Sequence, residues 1–197
     1  RLPLRNKSLK QFLMIQYKNL SLFLMAFLFL LSMKSSNPSF YDFEVKDIDG
    51  KDFSMAQLKG KKVMVVNVAS KCGYTPQYAD LQKLYSMYGG KNFEIIAFPA
   101  NNFMKQEPGT DAEIKEFCTG NYQVTFLMMS KLSVKGDDMA PIYKWLTQEE
   151  LNGVMDSSVK WNFQKYLINE NGVLEKVMSP ATNPMDPEIL NWIEGKK

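Results

Sequence analysis

Apolar and polar positions divide the chain unevenly. The longest apolar run, Leu20–Met33, reads LSLFLMAFLFLLSM: 14 residues without a charge, preceded by a basic segment. That is short for a membrane span and about right for a signal-peptide core. From residue 39 the pattern becomes that of a folded domain. Phe43-Glu44-Val45 and Asp52-Phe53 flank Asp49-Gly50, which predicts a hairpin. VMVVNVAS within Lys62–Ser70 predicts a buried strand from its β-branched content. Thr75-Pro76 then reads as N-cap and first helical position. The helix it opens carries Leu81, Leu84, Tyr85 and Tyr88 on one face and stops at Gly89-Gly90. Phe93–Phe98 predicts a second buried strand, Asp111–Cys118 a short helix, Thr125–Met129 a third strand and Pro141–Thr147 another helix. Tyr166–Ile168 and Val173–Val177 flank Asn169–Gly172 as a second hairpin, and Pro187–Ile193 closes the chain as a helix. Strand–helix–strand followed by a hairpin and a helix is an α/β order with a central mixed β-sheet flanked by helices.

Charge separates the two parts further. The net charge is +3, yet residues 1–38 hold six basic residues (Arg1, Arg5, Lys7, Lys10, Lys18, Lys34) and no acidic one. The remainder has 18 basic and 21 acidic residues, about −3, and so lacks the basic footprint of a nucleic-acid binder. We therefore read 1–38 as a leader and 39–197 as the functional domain. The leader predicts export, periplasmic or secreted, or membrane association as an uncleaved anchor; a cytoplasmic location stays open. Its cleavage site is poor, since Ser32, Met33, Lys34 and Ser35 offer no small-x-small pattern, and no cysteine follows as a lipoprotein would need. The competing reading of the apolar run is an amphipathic or core helix.

The chain has no histidine and only two cysteines, Cys72 and Cys118. The first fact excludes Ser-His and Cys-His catalytic arrangements and argues against zinc or non-haem iron. The second excludes four-cysteine metal sites. Two cysteines leave inert buried thiols, one structural disulfide or a redox pair. Cys72 falls between a strand and a helix start, where unpaired N–H groups, the helix dipole and Lys71 all favour a thiolate. A small buried hydrophobe is the plainer reading of the same position.

The words around Cys72 carry more. Asn67–Thr75 reads NVASKCGYT, Phe93–Gly109 reads FEIIAFPANNFMKQEPG, and Lys160–Phe163 reads KWNF. In this order they resemble the motifs N-V-A-S-x-C/U-G-x-T, F-x-I-L-A-F-P-C-N-Q-F-G-x-Q-E-P-G and W-N-F of the glutathione peroxidases, cysteine-type, over roughly residues 41–193. The resemblance implies a thioredoxin-like fold and reduction of hydrogen peroxide or organic hydroperoxides. It maps the catalytic group onto Cys72, Gln106, Trp161 and Asn162. It implies no cofactor beyond a thiol reductant as co-substrate, thioredoxin or glutathione. Gln106, Trp161 and Asn162 donate hydrogen bonds without titrating, which suits a thiolate and a departing oxygen.

Three positions depart from the pattern: Ala100 replaces a cysteine, Asn102 a glutamine and Met104 a glycine. Because glycine commonly supplies positive φ, Met104 predicts an altered loop before Gln106. Cys118 ends the helix in EIKEFC, 46 residues after Cys72. The resemblance makes it the resolving cysteine, which condenses with the Cys72 sulfenic acid to a disulfide that thioredoxin reduces. A core thiol at a helix end is the alternative. The short connection from Cys118 to Trp161 resembles that of the monomeric members. A direct glutathione peroxidase, a peroxide sensor relaying oxidation to a partner and a permanent Cys72–Cys118 disulfide remain competing readings.

Overall fold

The computed structural model describes residues 37–196, a compact unit beginning at Asn37. The run Leu20–Met33 lies outside them. The expected membrane anchoring is corrected: among the described residues no helix is long and apolar enough to cross a membrane.

The hairpin at the start forms as its turn chemistry dictates. Strands β1 (Glu44–Lys46) and β2 (Asp52–Ser54) pair antiparallel with Val45 opposite Phe53. Asp47 Oδ1 accepts from the N–H groups of Asp49 and Lys51, both at 2.9 Å, and Gly50 takes the left-handed conformation the turn requires (φ 77°).

The second sheet positions the candidate residues. β3 (Lys62–Val68), β4 (Phe93–Pro99), β5 (Leu127–Met128), β6 (Lys165–Ile168) and β7 (Leu174–Met178) run in the order β5-β4-β3-β6-β7. β3–β4 and β4–β5 are parallel, while β3–β6 and β6–β7 are antiparallel, so the sheet is mixed. β3 and β4 read as continuous apolar runs because both faces are covered. Met64, Val66, Val68, Ile95 and Ala97 point into one core with α1 (Gln77–Tyr88), α2 (Asp111–Tyr122) and α5 (Pro187–Glu194). Val63, Val65, Ile96 and Phe98 point into the other with α3 (Pro141–Thr147), which the short α4 (Glu149–Asn152) follows. Each fully buried Val, Leu or Ile contributes about 1.5–3 kcal/mol by removal from water.

Three boundaries differ from expectation. α1 begins at Gln77, with Pro76 as its N-cap already in helical φ/ψ and without a side-chain cap bond. Thr75 does not cap it, because its hydroxyl is used in the preceding loop. α2 continues to Tyr122, a full turn past Cys118, and ends on Gln123 in the left-handed conformation (φ 50°). The third strand shrinks to Leu127–Met128, which pair only with Ile96 and Ala97.

Candidate active site

Parallel strands need connections that leave from one end of the sheet, and the candidate residues gather there. β3 delivers the chain to the loop Ser70–Pro76. Thr75 Oγ1 folds that loop onto itself: it donates to the Ala69 carbonyl at 2.8 Å and accepts from the Cys72 N–H at 2.9 Å. The Tyr74 N–H points at Cys72 Sγ at 3.4 Å. Successive short-range bonds, Thr75 N–H to Cys72 O, Gln77 N–H to Tyr74 O and Tyr78 N–H to Thr75 O, wind the loop into α1. Cys72 is 9% exposed as a residue and sits at the margin of the core.

The loop after β4 brings Gln106. The Lys71 N–H donates to the Gln106 carbonyl at 3.0 Å, which fastens this loop to the residue before Cys72. Asn162 Nδ2 donates to Gln106 Oε1, also at 3.0 Å. Asn162 is fully buried, and its Oδ1 has no partner in the described structure. The segment 161–163 is held by Asn67 of β3, whose Nδ2 donates to the Trp161 carbonyl at 3.0 Å and whose carbonyl accepts from the Phe163 N–H at 2.6 Å. Phe163 sits at φ 68°, a strained conformation for a non-glycine residue, with its ring edge-on to Tyr78 at 5.4 Å. Trp161 stacks at a tilt on Phe103, centroids 5.2 Å apart.

Gln106 and Asn162 thus meet directly, Gln106 is tied to the Cys72 loop, and Trp161 flanks them on Phe103. Met104 does not redirect the loop as expected: it takes the positive φ (49°) that the motif's glycine would supply, and Lys105 follows at 53°. Asn102 anchors the same loop, donating to Ser133 Oγ and the Lys135 carbonyl and accepting from the Val134 N–H, each at 2.9 Å. Ala100 fills its place as core.

Cys118 is wholly buried, inside α2 and not at its end, and both cysteines are free thiols. Burial pushes its thiol up to about 11. The wholly buried Tyr78 hydroxyl faces it from α1, and this contact opposes the burial that raises the Cys118 thiol. Tyr78, Asn67 and Glu107 carry no role in the sequence expectations, and Thr75 only that of a helix cap. Glu107 is 1% exposed; burial raises its carboxyl above the usual range, opposed by a hydrogen bond from Ser70 Oγ at 3.1 Å. The signal available for Asn67 was a polar residue inside VMVVNV; for Glu107 it was an acidic residue in a motif that already supplied Gln106. Among the described residues no group of three or more His, Cys, Asp or Glu could hold a metal ion.

Residues 40–147 match the family model of glutathione peroxidase. Among curated proteins the chain is similar to the glutathione peroxidase-like peroxiredoxin 2 of Saccharomyces cerevisiae. The two are 48% identical over 157 residues, covering 79% of this chain and 97% of that one. Among solved structures it resembles the crystal structure of Trgpx in apo form, with TM-score 0.63 and 36% identity over 80% of this chain and 95% of that chain. A thioredoxin family thiol:disulfide interchange protein from Chlorobium tepidum shares the fold, at TM-score 0.55 and 19% identity over 81% and 98% of the two chains. The mixed sheet with helices on both faces is the expected thioredoxin-like fold. With that fold, the matched family model and a cysteine at the motif position, the chain belongs to the glutathione peroxidase family, in its cysteine-type, peroxiredoxin-like branch, and is an oxidoreductase acting on peroxides.

Proposed function

We propose that Cys72 is the peroxidatic residue of this thiol peroxidase, and that Gln106, Trp161 and Asn162 complete its site. The Asn162–Gln106 hydrogen bond carries the reading: it joins two segments 56 residues apart, and the Gln106 carbonyl accepts from the N–H of Lys71, next to Cys72. In the reaction the Cys72 thiolate attacks the distal peroxide oxygen. A S–O bond forms, the O–O bond breaks, and the alcohol or water leaves with a proton. Side-chain donors that cannot titrate serve this step at any physiological pH. The sulfenic acid left on Cys72 condenses with Cys118 to a disulfide, and a thioredoxin-like dithiol protein reduces it. The likeness to a peroxiredoxin-named relative supports that reductant over glutathione. The short chain between Cys118 and Trp161 supports a monomer.

In this reading α2 opens to free Cys118, which lies inside a capped helix, for a disulfide whose Cα atoms must come within about 7 Å. Mass spectrometry after one equivalent of peroxide tests the scheme. The wild type should show a Cys72–Cys118 cross-link. Cys118→Ser should consume that equivalent, accumulate Cys72 sulfenic acid and fail to turn over with thioredoxin. Full thioredoxin-driven turnover by Cys118→Ser would remove Cys118 from the mechanism, and equal turnover with glutathione would make glutathione the reductant.

A further inference from the structure

The Cys72 loop has two ends, and one buried residue outside the catalytic group reaches both. Lys165 lies on β6, where it pairs opposite Val66 of β3, two residues before that strand ends at Val68 and releases the chain toward Cys72. Its side chain is wholly buried. From the sheet it crosses to the far end of the loop, where Nζ donates to Gln77 Oε1 at 2.6 Å. Gln77 is the first residue of α1. Nζ also donates to the carbonyls of Pro180 and Thr182, at 3.2 and 2.5 Å. An ammonium has three N–H donors, and here three oxygens take them, so the group is fully held. Gln77 Nε2 donates to the same Pro180 carbonyl at 2.8 Å. Lys165, Gln77 and Pro180 thus close a triangle of hydrogen bonds that ties α1 to β6 and to the chain beyond β7. The contact passes on toward the sulfur through the main chain. The Gln77 N–H donates to the Tyr74 carbonyl at 2.9 Å, and the Tyr74 N–H points at Cys72 Sγ at 3.4 Å. No ion pair among the described residues includes Lys165. For stability alone an apolar side chain of the same length would serve there at least as well, since it desolvates no charge.

Resting on the reading of Cys72 as the peroxidatic residue, we propose that Lys165 is a positioning residue for peroxide reduction. By holding Gln77 against β6 and Pro180 it fixes the start of α1, and with it the Tyr74 N–H aimed at the Cys72 sulfur. A donor on the sulfur stabilises the thiolate that attacks peroxide. Lys165 acts at one remove, through Gln77 and Tyr74.

The test uses the full chain carrying Cys118→Ser, so that Cys72 is its one thiol. Two rates are followed across pH: alkylation of Cys72 by iodoacetamide, and consumption of one equivalent of hydrogen peroxide. Lys165→Met keeps the length of the side chain and removes its donors. Gln77→Leu keeps the amine and removes the link to α1, which separates positioning from loss of charge. Each should slow both rates about tenfold near pH 7, the effect of one lost hydrogen bond, and move the rise of alkylation to higher pH. The two changes together should cost no more than the larger one, because they break one path. Leu146→Ala, in the other core, loosens the fold away from this path and should leave both rates unchanged. Parent rates and pH profile in Gln77→Leu overturn the proposal. They do so even if Lys165→Met fails to fold, since Gln77 is only half-buried. An equal loss in Leu146→Ala also overturns it, by making the effect one of general stability. If the parent chain alkylates but consumes no peroxide, it is the reading of Cys72 that fails.

Discussion

At Asn162, a buried amide gives one end to Gln106 and keeps an unpaired oxygen. A buried acceptor left unpaired in this way costs free energy. Because Gln106 and Asn162 share a hydrogen bond, their contributions are coupled. Gln106→Ala and Asn162→Ala should each lower kcat/KM by up to about 10²–10³, and the double variant by less than the product. Steady-state kinetics with excess reductant checks this; simple multiplicativity would mean the pair does not act together. Met104 offers a stability test at the same scale. It is 78% exposed at φ 49°, where a side chain gains little packing and a left-handed backbone costs about 1–2 kcal/mol. Glycine's added freedom in the unfolded chain offsets about half of that. Met104→Gly should therefore raise stability by up to about 1 kcal/mol, read from denaturant midpoints. The motifs name Cys72, Gln106, Trp161 and Asn162, and the meeting of Asn162 with Gln106 and of Gln106 with the Cys72 loop was legible in that way. Thr75 and Asn67 were not, because a short polar side chain reveals its role only once its backbone partners are in place.

Among the elements, α2 departs furthest from its sequence expectation. The sequence suggested a short helix, Asp111–Cys118, with Gly120 just beyond it. The structure carries it to Tyr122 and closes its start with a full capping box: Thr110 Oγ1 accepts from the Glu113 N–H, and Glu113 accepts from the Thr110 N–H at 2.7 Å. Burial of Ile114 and Cys118 outweighs the helical cost of one glycine, about 1 kcal/mol. Thr110→Ala should remove about 1 kcal/mol of cap and make Cys118 alkylation in the reduced protein roughly fivefold faster. An unchanged rate would show that Cys118 is exposed by a motion other than unwinding from the N-terminus.

The start of α1 rests on another buried group. Lys165 Nζ, on β6, donates to Gln77 Oε1 at 2.6 Å and to the carbonyls of Pro180 and Thr182 at 3.2 and 2.5 Å, and burial lowers it to about 7. Between that value and the ordinary 10.5 the unfolded chain binds the proton and the folded one does not, so stability rises with pH. The slope is at most about 1.4 kcal/mol per pH unit. The buried tyrosines Tyr78 and Tyr143, raised well above 10.0, act in the opposite sense only near and above pH 10.0. Denaturation of the wild type between about pH 7 and 9 should show the rise, and Lys165→Met should flatten it.

For the molecule as a whole, the central strands were the most legible part, since a run apolar on both faces can only be sandwiched between two layers. The edge was not: Phe126 and Met129 are buried without belonging to β5, so composition alone overstated that strand. The two cores divide the work. One holds both thiols, Cys72 and Cys118, with Tyr78 and Ile114 among them; the other packs β3 and β4 against α3. The central claim is that peroxide reduction passes through Cys72. It is tested most directly by following NADPH oxidation by the full chain with hydroperoxide, thioredoxin and thioredoxin reductase, wild type beside Cys72→Ser. The account predicts steady turnover by the wild type and none above background by Cys72→Ser at an unchanged melting temperature; wild-type turnover by Cys72→Ser would contradict it.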